Sequence, residues 1–216
     1  SDAAAFPLLV KIIDAADRLS VQVHPDDDGA RRHGGEAKTE CWFLLDAAPG
    51  ACVWAGLQPG VTPERFAAAL KAGTVASLLQ RMPVSTGDLL FIPGGRVHAI
   101  GAGCLIYEIQ QNSNTTYRLF DWNRVGEDGQ PRPLHVEESF KTIDWSLPAP
   151  QMIDPAAACR VGGVGSEVVA CDYFNVRRLD LTGPLDVAVD GSSFHALFVV
   201  SGAVSVSAGG ECVPLC

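Results

Sequence analysis

Basic residues are scarce in this chain: 16 Lys and Arg stand against 25 Asp and Glu, for a formal net charge of −9. Such a chain lacks the broad positive field that draws proteins to nucleic acid or to an anionic membrane, so any anionic ligand must be met by a few local groups. Long apolar runs are missing as well. No segment approaches the ~20 consecutive apolar residues that span a bilayer, and Ser1 to Phe6 have neither the basic start nor the apolar run of a secretory signal. The expectation is a cytoplasmic protein without nucleic-acid or membrane partners. Closely spaced cysteines are also absent: the seven, at 41, 52, 104, 159, 171, 212 and 216, form no CxxC pair. That pattern argues for reduced, buried thiols rather than a cysteine-built metal site.

What is present is apolar: 47% of 216 residues, enough to bury a substantial core. Runs of β-prone residues recur at 19–23, 41–45, 52–57, 88–92, 104–110 and 116–120, separated by Gly, Pro, Asp and Asn. This is the pattern of an antiparallel sandwich or barrel. One interruption is helical, with Thr62 as N-cap, Pro63 at the first position, Phe66, Ala69 and Leu70 on one face and Gly73 as the stop. A second short helix is expected over roughly 74–80. The stretch Leu147-Pro148-Ala149-Pro150 reads as part of a linker, 147–155, and strand-like segments resume at 168–181 and 194–207. The expected organisation is a domain over 1–146 with a helical insertion at 62–80, followed by a partial β domain over 156–216.

Successive side chains on a strand point to opposite faces, so Ser20, Gln22 and His24 share one face and Leu19, Val21 and Val23 the other. Lys38 with Glu40, Glu108 with Gln110 and Thr116 with Arg118 repeat that polar pairing. Such faces are either solvated exteriors or the lining of a polar barrel interior.

The run Gly87-Asp88-Leu89-Leu90-Phe91-Ile92-Pro93-Gly94-Gly95-Arg96-Val97-His98 resembles the second cupin motif, with Ala102 where that motif ends in Asn. Leu19 to Asp27, Lys38 to Trp42, Val97 to Gly101, Tyr107 to Gln111 and Thr116 to Arg118 resemble blocks of the type I mannose-6-phosphate isomerases in their short bacterial form. The resemblance covers about residues 7–145. It implies an all-β jelly-roll barrel, followed here by a second, incomplete cupin-like β domain. It also implies one Zn²⁺ per subunit, held by Gln22, His24, Glu40 and His98. The family's active-site arginine corresponds to Arg118, its lysine near the metal-binding glutamate to Lys38, and a further glutamate to Glu108. The implied reaction interconverts mannose 6-phosphate and fructose 6-phosphate, with hexose phosphate as the small-molecule partner.

The residue types suit that chemistry. Imidazole and carboxylate favour Zn²⁺, and one neutral amide ligand leaves the site a net positive charge. Aldose–ketose isomerisation moves a proton between C1 and C2, so it needs a base and a means of stabilising an enediolate. Arg118 is assigned to enediolate or phosphate oxygens; Lys38 and Glu108 both remain open as the base, with Lys38 preferred, and Glu108 is alternatively the partner that orients Arg118. Ser20 either touches phosphate or makes a strand hydrogen bond. Trp42 and Trp54 read most simply as core, with stacking on a sugar as the lesser alternative, His33, His135 and His195 as surface or packing residues, and Asp26-Asp27-Asp28 as a solvated turn. Two other readings compete: an iron oxygenase, since two His and one carboxylate also make a facial triad, and a sugar-phosphate-binding cupin without turnover.

Overall fold

The computed structural model describes residues 6–126, 128–154, 159–161 and 165–216. In chain order the elements are β1 (Leu8–Ala15), β2 (Val21–Val23), α1 (Asp27–His33), β3 (Glu40–Ala47), β4 (Cys52–Leu57) and α2 (Pro63–Lys71). A 3₁₀ turn (Val75–Leu78) leads to β5 (Leu79–Pro83), β6 (Leu89–Ile92), β7 (His98–Ile100), β8 (Cys104–Gln111), β9 (Tyr117–Phe120) and α3 (Val136–Thr142). There follow β10 (Met152–Ile153), β11 (Cys159–Val161), β12 (Gly165–Ala170), β13 (Asn175–Leu179), β14 (Val204–Ala208) and β15 (Glu211–Leu215). The chain divides into two compact units, Ser1–Leu179 and Asp180–Cys216.

The first unit is built on two five-stranded antiparallel sheets, in the orders β1-β8-β3-β6-β10 and β5-β4-β7-β2-β9. Their inner faces meet in one core: Trp42, Leu44, Leu90, Ile92 and Ile106 from the first sheet pack with Val53, Ala55 and Ile100 from the second. This is the jelly-roll arrangement of a mainly β cupin. In β8 the inward residues Cys104, Ile106, Glu108 and Gln110 are buried and the alternate ones only half-buried, as a strand with one covered face should be. Along that inner face the lining changes from apolar at Cys104 and Ile106 to polar at Glu108 and Gln110. One end of the barrel is therefore packed and the other is lined by polar groups.

The outer face of the second sheet is covered by the helices. Val21, Val23, Leu79, Ala99 and Leu119 pack with Phe66 of α2, Val75 and Leu78 of the 3₁₀ turn, and Ile143 just beyond α3. Thr62 caps α2 by accepting the Arg65 N–H, a contact that stabilises a helix by about 1 kcal/mol. The second expected helix is only the 3₁₀ turn Val75–Leu78, because Leu79 already pairs with Leu57 as strand β5. The Asp26–Asp28 run is not a turn: Asp26 caps α1 by accepting the Gly29 N–H at 2.6 Å, and Asp27 and Asp28 sit in its first turn, where negative charge is favoured.

The outer face of the first sheet carries Cys41 and Leu89, which pack with Val168 and Val169 of β12 and with Phe174 just before β13, in the three-stranded sheet β11-β12-β13 and its connecting turn. Met152 and Ile153, within the stretch read as a linker, pair with Leu90 and Leu89. The expected domain start at 156 lies outside the described residues. The second unit contains the hairpin β14–β15, whose Gly209-Gly210 turn has φ of +59° and +86°, the left-handed backbone that two-residue hairpins require. Strand was expected from 194, but it begins only at Val204. Among the described residues no helix is long and apolar enough to cross a membrane.

Candidate metal centre

Strand pairing gathers the site. Gln22 of β2 lies opposite His98 of β7 on one side and Arg118 of β9 on the other, so the three share the inner face of the second sheet. The register shifts between Val21 and Gln22, and at this irregularity Leu119 and Phe120 both join the core beneath the helices while Arg118 stays opposite Gln22. Across the barrel, Glu40 of β3 lies opposite Gln110 of β8, and Trp42 opposite Glu108. His24 follows β2 directly and is buried.

His24, Glu40 and His98 converge, with ligand atoms all within 4.8 Å of one another. His24 Nε2 is 3.4 Å from Glu40 Oε1, and His98 Nε2 is 3.7 Å from Glu40 Oε2. Each imidazole uses its other nitrogen on a backbone carbonyl: His24 Nδ1 with Thr115 O at 2.9 Å and His98 Nδ1 with Arg96 O at 2.8 Å. Those bonds fix Nδ1 as the protonated nitrogen and leave both Nε2 lone pairs facing the centre, the arrangement of metal-ligating histidines. Gln22 Nε2 lies 3.3 Å from His98 Nε2, and half a turn of its amide presents Oε1 to the same space.

The electrostatics fit a cation. Burial opposes ionisation of Glu40, yet His24, His98 and Lys38 together hold its carboxyl well below the usual range. Burial pushes His98 down to about 3, against the pull of Glu40, so its imidazole is neutral and free to coordinate at ordinary pH. Both oxygens of Glu40 are buried and accept no hydrogen bond. Lys38 Nζ approaches Oε1 to 2.7 Å, but the direction is unsuited to a hydrogen bond, leaving an ion pair by distance alone. A buried carboxylate without donors, facing the Nε2 atoms of two imidazoles, is a site that His24, Glu40 and His98 can complete by holding a metal ion.

The loop carrying His98 is fixed by close backbone approach. A side chain on Gly94 would meet the Asp26 backbone at 2.6 Å, so only glycine fits there, and the Gly95 N–H donates to His24 O at 2.7 Å. The cupin-like Pro-Gly-Gly run thus ties the two histidine-bearing segments together.

Lys38 is buried beside the centre, with Nζ also 3.3 Å from His24 Nε2. Glu108 is buried as well, and burial followed by the nearby Glu40 raises its carboxyl above the ordinary range. It accepts from Trp42 Nε1 at 3.0 Å and from Lys11 Nζ at 3.1 Å. Arg118 is half-buried; its Nε donates to Ser20 Oγ at 3.3 Å and its Nη1 to Pro133 O at 3.0 Å. Ser20 is therefore joined to Arg118, and Glu108 is held by Trp42 and Lys11. Sequence reasoning missed Lys11, which lies opposite Glu108 and also bonds Gln110 Oε1. Its signal was a lone cation inside the apolar run Leu8–Ile13, a position that needs a buried partner. Trp42 was read as core in preference to a sugar-stacking residue; it is buried, and its indole also packs edge-on against His98, with centroids 5.4 Å apart.

Residues 1–62 match the family model for the phosphomannose isomerase type I catalytic domain. A probable mannose-6-phosphate isomerase of Bacillus subtilis, GmuF, is 40% identical over 185 residues, which cover 84% of this chain and 58% of that protein. The chain is similar to the type I phosphomannose isomerases over most of its own length. A mannose-6-phosphate isomerase of Streptococcus mutans is likewise 40% identical over 184 residues, 85% of this chain and 57% of its own. The crystal structure of the Bacillus subtilis mannose 6-phosphate isomerase superposes with a TM-score of 0.73 at 31% identity, covering 85% of this chain and 58% of that one. The chain thus spans a little under three fifths of the length of these family members.

Proposed function

We propose that this chain catalyses the interconversion of mannose 6-phosphate and fructose 6-phosphate at a zinc centre formed by Gln22, His24, Glu40 and His98, within a catalytic portion spanning residues 1–146. The observation that carries this reading is the convergence of two Nε2-presenting histidines and an unsatisfied buried carboxylate at the barrel end that also holds Lys38, Glu108 and Arg118. A sugar phosphate is charged and does not cross a bilayer unaided, so the reading places the protein in the cytoplasm.

A bound zinc ion would supply Lewis acidity toward substrate oxygens and part of the charge that stabilises an enediolate. The chain's own groups handle the rest. Glu108, its carboxyl fixed by two donors, takes the proton from C2 of the open-chain aldose and returns it to C1. Lys38, with its ammonium group facing Glu40, is placed to donate to a substrate oxygen. Arg118 meets anionic oxygen of the enediolate or the phosphate. Burial of His24, Glu40 and His98 keeps water from competing.

The test is a coupled assay that follows fructose 6-phosphate formed from mannose 6-phosphate. Steady product formation supports the reading. Metal bound without turnover of either hexose phosphate would move the assignment to a sugar-phosphate-binding protein. The triad of two histidines and one carboxylate also matches an iron oxygenase. Gln22, 3.3 Å from His98, supplies a fourth ligand that such a site lacks. Oxygen uptake with Fe(II) would revive that alternative.

A further inference from the structure

Arg118 sits on β9, the edge strand of its sheet, and its backbone is gripped from outside that sheet. The Arg118 N–H donates to His135 Nδ1 at 3.2 Å, and the His135 N–H donates to Arg118 O at 2.8 Å. Two residues upstream, Pro133 O accepts from Arg118 Nη1 at 3.0 Å. The segment 133–135 therefore holds both the main chain and the guanidinium of one residue.

That segment is anchored at both ends. Upstream, Arg132 clamps the buried Asp121 with Nε to Oδ2 at 2.7 Å and Nη2 to Oδ1 at 2.5 Å, and Arg124 adds Nη2 to Oδ1 at 2.6 Å. Downstream, His135 O accepts the Ser139 N–H at 2.9 Å and the Ser139 hydroxyl at 2.6 Å, which starts α3. An edge strand held only by its inner neighbour lets its side chains sample several directions; this one is fastened on both sides at the residue with the catalytic guanidinium.

We infer that His135 is a positioning residue for Arg118: with the Pro133 carbonyl it fixes where the guanidinium points. Arginine has five N–H donors, and Ser20 and Pro133 occupy two, so the fixed geometry aims the rest at anionic substrate oxygens. Nδ1 accepts the Arg118 N–H only as an uncharged imidazole nitrogen, a role that asparagine Oδ1 can reproduce and alanine cannot.

The inference rests on the isomerase reading only for its rate measurement. His135→Ala is expected to lower kcat by about 10- to 100-fold with little change in KM or bound metal, and His135→Asn to recover most of that loss. A second readout needs no turnover: the Arg118 Nε–H signal in ¹⁵N-arginine-labelled protein, assigned with Arg118→Lys. It should be sharp in wild type, broadened in His135→Ala and sharp again in His135→Asn. If His135→Ala does not fold, Arg132→Gln, which frees the same segment at its other anchor, takes its place and should show the same two losses. A wild-type rate and signal in the disrupting variant overturns the inference, and so does a loss that His135→Asn does not recover. Were the wild type to turn over no hexose phosphate, the isomerase reading would fall, and the nitrogen signal would still decide the role of His135.

Discussion

Lys38 Nζ lies 2.7 Å from Glu40 Oε1, both side chains almost wholly buried, and no hydrogen bond satisfies either oxygen of the glutamate. In the metal-free protein this lysine is the nearest cation to a buried carboxylate. Removing it with Lys38→Met strands that charge, and breaking a buried pair costs about 3–5 kcal/mol. The unfolding free energy from denaturant titration should fall by that order in chelated Lys38→Met and recover largely when zinc is added. An equal deficit with and without zinc would show that Lys38 does not balance Glu40.

Acid should destabilise the chelated protein in a defined window. His98 titrates near 6.5 when unfolded and near 3 when folded, so between those values the unfolded chain holds the extra proton and stability falls as pH drops. Glu40, held below its ordinary 4.5, adds a loss of the same sign at lower pH. Glu108, raised by burial, acts in the opposite sense and blunts the trend as pH climbs past its ordinary range. Urea midpoints at about pH 7.5 and about pH 5 should show the chelated protein weaker at the lower pH. Equal or rising midpoints would contradict the neutral, buried His98.

Glu108→Gln keeps the shape of the group and, through its single amide oxygen, one of the two hydrogen bonds accepted from Trp42 and Lys11, but removes the base. Its kcat should drop by roughly 10²–10⁴, the range of general-base contributions, with metal content unchanged. Trp42→Phe removes only the donor at 3.0 Å and should cost far less. If Glu108→Gln turns over normally, the proton moves through Lys38 instead.

Arg118→Ala should retain metal and lose rate, because the arginine touches none of His24, Glu40 or His98 among its hydrogen bonds. Metal analysis beside the steady-state rate separates the two effects. A metal-loaded, fully active Arg118→Ala would remove the catalytic assignment of this residue.

Part of this arrangement was legible because polar residues recur at period two, as Gln22 with His24 and Lys38 with Glu40, although that pattern alone fits a solvated strand face as well. The set Gln22, His24, Glu40 and His98 followed from the resemblance to the isomerase blocks, and the structure brings them to one end of the barrel. β1 was not legible: Leu8, Leu9, Val10, Ile12 and Ile13 are apolar on both faces, so nothing in the pattern said which side Lys11 would take. α1 was hidden by its brevity and by Gly29 within it, so the acidic run that caps it read as a turn. His135 offered no local signal at all, since its partner lies 17 residues away on a strand edge that only the fold brings near.

Zinc titrated into chelated protein, with bound metal and mannose 6-phosphate turnover followed together, tests the central claim most directly. Rate and bound zinc should rise in parallel and level off at one zinc per chain, while His98→Ala gains neither. Full turnover in the chelated protein, or a His98→Ala variant that binds zinc and turns over like wild type, would contradict the assignment of the metal centre to Gln22, His24, Glu40 and His98.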